Sequence, residues 1–429
     1  MYIVKVCTRA NDVRPYVCMD VSCTVGAVSD RPHHAAISSR ILYTVRIQKT
    51  GDHRSPLPFG REKTVTGLYI HVPFCVKKCP YCDFYSGQLS RKEEYIAAVL
   101  RELRRYDEMY DTVYFGGGTP SLLPEIAGAV LDSIVLSEGA EVTFECNPET
   151  VDSKVFETLK SAGVNRLSFG VQSLNDAELS ALGRIHSADR ARAAITEAAS
   201  CGFSDISADL MLGIPHQTRQ SLTETIDRLC ALPLTHISAY MLKIEENTVF
   251  GKAPPPVPDE DEQAELYLLA VRELEKRGFI QYEISNFAKR RNTKTAVTTD
   301  DTNIVPISEL YASRHNLKYW RCEEYIGIGP AAHSFYGGKR FALPRDLEGF
   351  LSAPQQQITD DAPRTEEERI MLGLRLSEGI PEELWKPLSA ALKRVPKNYY
   401  RIENGRLSLT PEGFLLSNEI ISLLLSENY

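Results

Sequence analysis

The sequence predicts an α/β chain in which six βα units form a partial (β/α)6 TIM-type barrel, followed by a mainly helical, winged-helix-like C-terminal module. Three observations carry this. From Gly67 onward, short apolar β-branched runs alternate with longer amphipathic ones. Gly, Asn or Pro punctuates each alternation. Polar and glycine-rich segments recur at the C-terminal ends of different strands, as suits loops that share a barrel mouth. A doubly wound open sheet shares the periodicity but not this placement.

The strands are expected at Leu68–Phe74, Thr112–Gly116, Glu141–Cys146, Arg166–Gln172, Asp205–Leu212 and His236–Leu242. Helices are expected at Arg91–Tyr106, Pro124–Leu136, Asp152–Ala162, Ala188–Ser200, Ser221–Leu232 and Asp259–Arg277. Asp152 or Ser153 caps the third helix, and Gly163 and Gly278 stop theirs. The barrel thus occupies 65–288, preceded by an N-terminal extension, 1–64, without sustained periodicity. The polar, Thr-rich stretch 289–313 reads as an inserted surface loop, and 314–360 as a post-barrel segment. In 361–429, helices at Thr365–Leu376 and Pro381–Leu392 precede an Asn404-Gly405 hairpin and a last helix opening at Thr410-Pro411.

The 429 residues are 43% hydrophobic and 25% charged, an ordinary globular composition. A net charge of -8 gives no electrostatic footprint for nucleic acid. The chain contains no apolar run of membrane-spanning length and no secretory leader pattern, so a cytoplasmic protein is expected. The extension is net basic, as an organelle-targeting peptide would be, but Asp12, Asp20, Asp30 and Asp52 count against one.

Ten cysteines are too dilute for a disulfide scaffold, yet Cys75, Cys79 and Cys82 fall together just after the first strand. Three thiolates on one loop suit a [4Fe–4S] cluster with one iron open to the amino and carboxylate groups of S-adenosyl-L-methionine. The alternatives are a zinc site drawing on a distant ligand, or three unrelated core thiols. Downstream, Phe115-Gly-Gly-Gly-Thr-Pro-Ser121 is a tight turn whose bare backbone can approach a ligand. Glu145, in Phe-Glu-Cys-Asn-Pro, and Gln172 end the third and fourth strands. Arg184, in Leu-Gly-Arg-Ile-His, can pair with a carboxylate or make an ordinary surface contact. Asp209 is an acid inside an apolar strand, where a charge must find a partner.

Tyr69-Ile-His-Val-Pro-Phe-Cys75-Val-Lys-Lys-Cys79-Pro-Tyr-Cys82 resembles the radical S-adenosylmethionine superfamily, and within it the oxygen-independent coproporphyrinogen III oxidase family and its relatives, over about residues 66–425. The resemblance implies that Cys75, Cys79 and Cys82 hold the cluster. It assigns Tyr69, Tyr81, Gly117, Gly118, Thr119, Glu145, Gln172, Arg184, Asp209 and Met241 to the S-adenosylmethionine site.

The decarboxylating branch continues its cysteine motif with Gly and a fourth Cys, whereas Asp83 and Phe84 stand here. Arg314-His315-Asn-Leu-Lys-Tyr319-Trp320, followed by Tyr325-Ile-Gly-Ile-Gly-Pro-Ala-Ala-His333-Ser, looks like the haem-chaperone (HemW) branch. That likeness makes His315 the candidate haem ligand, with Cys322 a competing thiolate. On chemistry alone, the favoured reading of His315 is a hydrogen-bonded structural residue, with the aromatics as core; the resemblance turns it towards a ligand. The implied function is a haem chaperone that passes its cargo to an acceptor protein. The implied partners are haem, that acceptor and a low-potential electron donor, with room for a homodimer or a peripheral membrane contact. The alternatives are radical decarboxylation of porphyrinogen propionates and radical haem modification.

Overall fold

The structure, a computed structural model, describes residues 65–291, 305–363 and 365–426, so the predicted extension 1–64 lies outside the described residues. Six strands follow one another in space as they do in sequence: β1 Thr66–Val72, β2 Met109–Gly117, β3 Val135–Cys146, β4 Arg166–Gln172, β5 Ile206–Leu212 and β6 His236–Met241. Each is parallel to the next. The order never reverses, as barrel winding requires and a doubly wound sheet does not. The connecting helices are α1 Lys92–Leu103, α2 Glu125–Leu131, α3 Ser153–Ala162, α4 Asp176–Ala181, α5 Ala188–Ser200 and α6 Arg219–Cys230, with α7 Val249–Lys252 and α8 Glu260–Glu275 after β6.

The sheet stays open. β7 Ile280–Gln281 and β8 Asn286–Ala288 add antiparallel strands beyond β6. After α9 Arg314–Trp320, β9 Tyr325–Ile328 lies parallel to β1, and β10 His333–Tyr336, β11 Lys339–Ala342 and β12 Gln357–Asp360 extend that edge antiparallel.

Period-2 alternation sorts each strand. Leu167, Phe169 and Val171 of β4 and Ala208, Leu210 and Leu212 of β5 enter the apolar core beneath the helices. Complete burial of such a side chain contributes about 1.5–3 kcal/mol. The intervening residues give a polar barrel interior, including Ser168, Gln172, Ser207 and Asp209.

Several elements differ from the sequence reading for local reasons. Helix α2 stops at Leu131 instead of Leu136, because Val135 and Leu136 pair with Met109 and Tyr110 of β2. The short α4 was not anticipated; Asn175 caps it through the backbone N–H groups of Ala177 and Glu178. The predicted helix 381–392 breaks around Pro387 into Glu382–Trp385, a 3-10 turn and Ser389–Leu392.

The Asn404-Gly405 hairpin joins Tyr400–Glu403 to Arg406–Leu409 with φ values of 51° and 75°, as a type I′ turn needs. Both flanks of the 289–313 stretch pair with each other: Arg290 bridges Leu310, and the Tyr311 N–H donates to the Lys289 carbonyl at 2.9 Å. Residues 305–313 accordingly pack, with Ile307 and Leu310 buried, where a surface loop was expected.

Candidate functional site

The cysteine loop leaves the C-terminal end of β1. Its base is closed by backbone hydrogen bonds from Cys75 N to Gly87 O and from Gly87 N to Pro73 O, both 2.8 Å. The three thiols are unpaired and partly exposed, and they line one cleft of about 770 Å³. Among the described residues no three His, Cys, Asp or Glu side chains gather around a single metal-ion position. Burial pushes the Cys82 thiol up to about 11; a hydrogen bond from the Phe84 backbone opposes the shift, and Cys79 and Cys75 add to it.

The opposite wall is built from strand ends. Thr119 donates to Cys75 Sγ at 3.5 Å and Arg184 Nη1 to Cys79 Sγ at 3.6 Å. Gly117 sits at φ 113°, and its N–H donates to Glu145 Oε2 at 3.1 Å. A Cβ on Gly118 would lie 2.6 Å from the Phe74 carbonyl oxygen, so the absence of side chains here also lets β2 press against the end of β1. Glu145 Oε1 accepts from the Tyr114 hydroxyl at 2.9 Å. Gln172 holds φ 68°, a strained conformation for a residue with a Cβ, costing about 1–3 kcal/mol.

Arg184 Nη2 donates to Asn147 Oδ1 and to the Gly170 carbonyl, both at 2.8 Å, while its buried Nε has no protein partner. Burial works to lower the Arg184 pKa, but Tyr81, Cys79 and Glu149 more than offset it. Asp209 is buried in the same cleft, its pKa raised by desolvation and by Glu145. This donor set fits the group implied by the sequence: three thiols, an arginine whose buried Nε has no protein partner, and two carboxylates around one cleft.

A second, larger cavity adjoins the first. Tyr81, Cys82 and Phe84 line both, so the cysteine loop is their common wall. Aromatic residues Tyr240, Tyr319, Trp320 and Phe414 line the larger space. Arg345 and Lys243 bring positive charge to it, paired with Asp83 at 3.4 Å and Glu245 at 3.1 Å. Phe84, which stands where the decarboxylating branch has a thiol, presents an apolar side chain there.

The structure brings Tyr81, Gly117, Gly118, Thr119, Glu145, Gln172, Arg184 and Asp209 to the cleft with the cysteines. Three expected residues lie elsewhere. Met241 lines the larger cavity. Tyr69 is buried outside both spaces, with its hydroxyl donating to His71 Nδ1 at 3.0 Å. His71 Nε2–H donates to the Tyr85 carbonyl at 2.9 Å, and burial lowers the His71 pKa to about 4.

His315 is fully buried and lines neither space. Its Nδ1 meets Thr112 Oγ1 at 2.9 Å and its Nε2 meets the Tyr319 hydroxyl at 2.8 Å. In this conformation both ring nitrogens are engaged within the protein. Burial, reinforced by Lys318, holds its pKa down to about 3. Cys322 packs against the core and also lies outside the cavity.

Sequence reasoning missed Asn147, which ties Arg184 to Thr119 through a 3.0 Å bond to Thr119 Oγ1. Its signal was the Asn-Pro directly after Glu145-Cys146. It also left His333 without a role, although His333 lines the larger cavity.

Residues 69–229 match the Radical SAM superfamily. The chain is 34% identical to "Heme chaperone HemW" of Escherichia coli and 33% identical to that of Haemophilus influenzae, in each case over 84% of this chain and 98% of the relative. Among solved structures, coproporphyrinogen III oxidase (HemN) from Escherichia coli, described as a radical SAM enzyme, superposes with a TM-score of 0.67 at 19% identity, over 84% of this chain and 90% of that one. That likeness supports the fold, a radical SAM α/β partial barrel. Identity at this level over nearly the whole length of these relatives shows that the chain belongs to the HemW family of radical SAM proteins.

Proposed function

We propose that this protein is a haem chaperone, taking up haem in the larger cavity and handing it to an acceptor protein. The observation that carries the reading is the aromatic-lined cavity that shares a wall with the cysteine cleft. It offers flat apolar surface for a macrocycle, and Arg345 and Lys243 offer charge for propionates.

In the adjoining cleft, Cys75, Cys79 and Cys82 would hold a [4Fe–4S] cluster. Tyr81, Gly117, Gly118, Thr119, Glu145, Gln172, Arg184 and Asp209 would hold S-adenosyl-L-methionine, with Arg184 facing its carboxylate and Glu145 accepting from its hydroxyl or amino groups. When bound, the pair supplies one-electron chemistry fed by a low-potential donor. The protein's own part is to position these groups and, through the Tyr81–Phe84 wall, to keep them beside the cargo without a fourth thiol.

Among the described residues no helix is long and apolar enough to cross a membrane. Haem titration of anaerobically reconstituted protein, followed by transfer to apomyoglobin as a generic acceptor, tests the reading. Saturable one-to-one uptake and release are expected. Turnover of coproporphyrinogen III to protoporphyrinogen by the same sample would instead make the protein an oxidase.

A further inference from the structure

We propose that the outer face of the cysteine loop is the docking surface for an acidic one-electron carrier protein, an assignment that rests on the cluster reading above. Three segments distant in sequence meet at Pro80. A Cβ on Gly183 would lie 2.7 Å from Pro80 Cδ, and the Phe250 N–H donates to the Pro80 carbonyl at 3.0 Å. Each segment exposes an aliphatic side chain next to this junction. Val76 of the cysteine loop is 55% exposed, Ile185 beside Arg184 is 48% exposed, and Val249 beside Phe250 is 63% exposed. Single exposed aliphatics need no explanation, but three brought together from separate segments mark a contact surface.

The charges around them are mainly cationic. Lys77, Lys78 and Lys252 are exposed, and Lys78 Nζ donates to the Phe84 carbonyl at 3.0 Å. Lys243 and Arg345 are taken by Glu245 and Asp83, whereas among the described residues no carboxylate pairs with Lys77, Lys78 or Lys252. Glu246 is the exposed acid on the turn before α7, and the lysines outnumber it. A basic patch on a chain of net charge -8 suits an acidic partner and repels a second copy of the chain overall. An apolar centre with a charged rim is the anatomy of a protein contact, and three lysines fall short of the cluster of about four to eight that recognises anionic lipid.

Position identifies the kind of partner. Val76, Lys77 and Lys78 lie between Cys75 and Cys79, and Lys77 and Lys78 also line the cysteine cleft. None of the six patch residues lines the larger cavity. A protein docked here sits against the thiols and away from the cargo space, which suits an electron donor rather than a haem acceptor. In each encounter one electron leaves the reduced prosthetic group of the carrier and enters the cluster, with no bond made or broken at the interface. A small, mixed surface of this kind fits a transient electron-transfer encounter.

The test uses anaerobically reconstituted full-length protein, with reduced flavodoxin as an acidic one-electron probe. Wild type is compared with Lys77→Glu/Lys252→Glu and Ile185→Ser/Val249→Ser, all at exposed positions. Stopped-flow bleaching of the cluster gives the second-order reduction rate, thermophoresis with oxidised flavodoxin gives binding, and iron analysis and dithionite bleaching check that each cluster is intact. The wild-type rate and affinity should fall as salt rises. The charge-reversed variant should lose at least about tenfold in both at low salt and show a flatter salt dependence. The serine variant should bind more weakly with its salt dependence kept, and both variants should match wild type in iron content and dithionite bleaching. Wild-type rate and affinity in the charge-reversed variant would overturn the surface. So would binding of wild type to phosphatidylserine vesicles, or its self-association, if the same substitutions abolish that binding and flavodoxin does not bind. Failure of wild type to hold iron at the three thiols would overturn the cluster reading as well.

Discussion

At the scale of single residues, burial decides what a histidine can do. His315 and His71 stay neutral in the fold because desolvation lowers them to about 3 and about 4. In the unfolded chain they titrate near the ordinary value of about 6.5. Below that pH the unfolded state takes up protons that the folded state refuses, so stability falls as pH drops from about 6.5 towards 4 for His71 and 3 for His315. Replacing His315 with Gln removes one such proton. We expect the slope of unfolding free energy against pH between 6.5 and 4 to become shallower by up to about 1.4 kcal/mol per pH unit. Urea unfolding at stepped pH measures it, and a slope equal to wild type would mean that His315 is not buried neutral. In the sequence, residue chemistry favoured a structural role for His315 and family resemblance a ligand role, and no local pattern reported its burial. Its partner Thr112 comes from β2, some two hundred residues earlier.

At the scale of elements, the cleft is an assembly of strand ends, and its tolerances are those of backbone against backbone. The β2 tip donates from Gly118 N to the Val72 carbonyl at 2.8 Å. A methyl at Gly118 would meet the Phe74 backbone on its nitrogen and carbonyl oxygen, neither of which can rotate away. Gly118→Ala should therefore lower stability by about 1–3 kcal/mol and reduce iron incorporation at the cysteine loop. Denaturant unfolding and iron analysis read the two effects, and a variant as stable as wild type would show that the β1–β2 tips are not in close contact. β1–β6 were legible because alternating strands separated by amphipathic helices carry a strong periodic signal, and β4 falls at its expected ends. The meander β9 to β12 was not foreseen. Its four-residue strands are too short to establish a period, and they form because β1 offers an edge.

At the scale of the whole molecule, the larger cavity belongs to no single unit. Barrel residues, the post-barrel segment and the C-terminal module all line it, the last through Phe414, Leu415, Ser417 and Asn418. Leu415→Arg should thus weaken haem uptake about tenfold or more by placing a charge against apolar surface, while iron bound at Cys75, Cys79 and Cys82 stays at wild-type level. Parallel haem titration and iron analysis would show this; equal loss of both would point to general unfolding. By itself the sequence determined the barrel class and the cysteine loop through local periodicity and spacing, and resemblance to the superfamily singled out the glycine, Glu145 and Arg184 motifs. Only the tertiary structure decided that Tyr69 and His315 lie behind the walls, that Asn147 ties Arg184 to Thr119, and that His333 lines the larger cavity. Burial and cavity lining depend on which distant strands and modules close over a residue, and no local pattern records that.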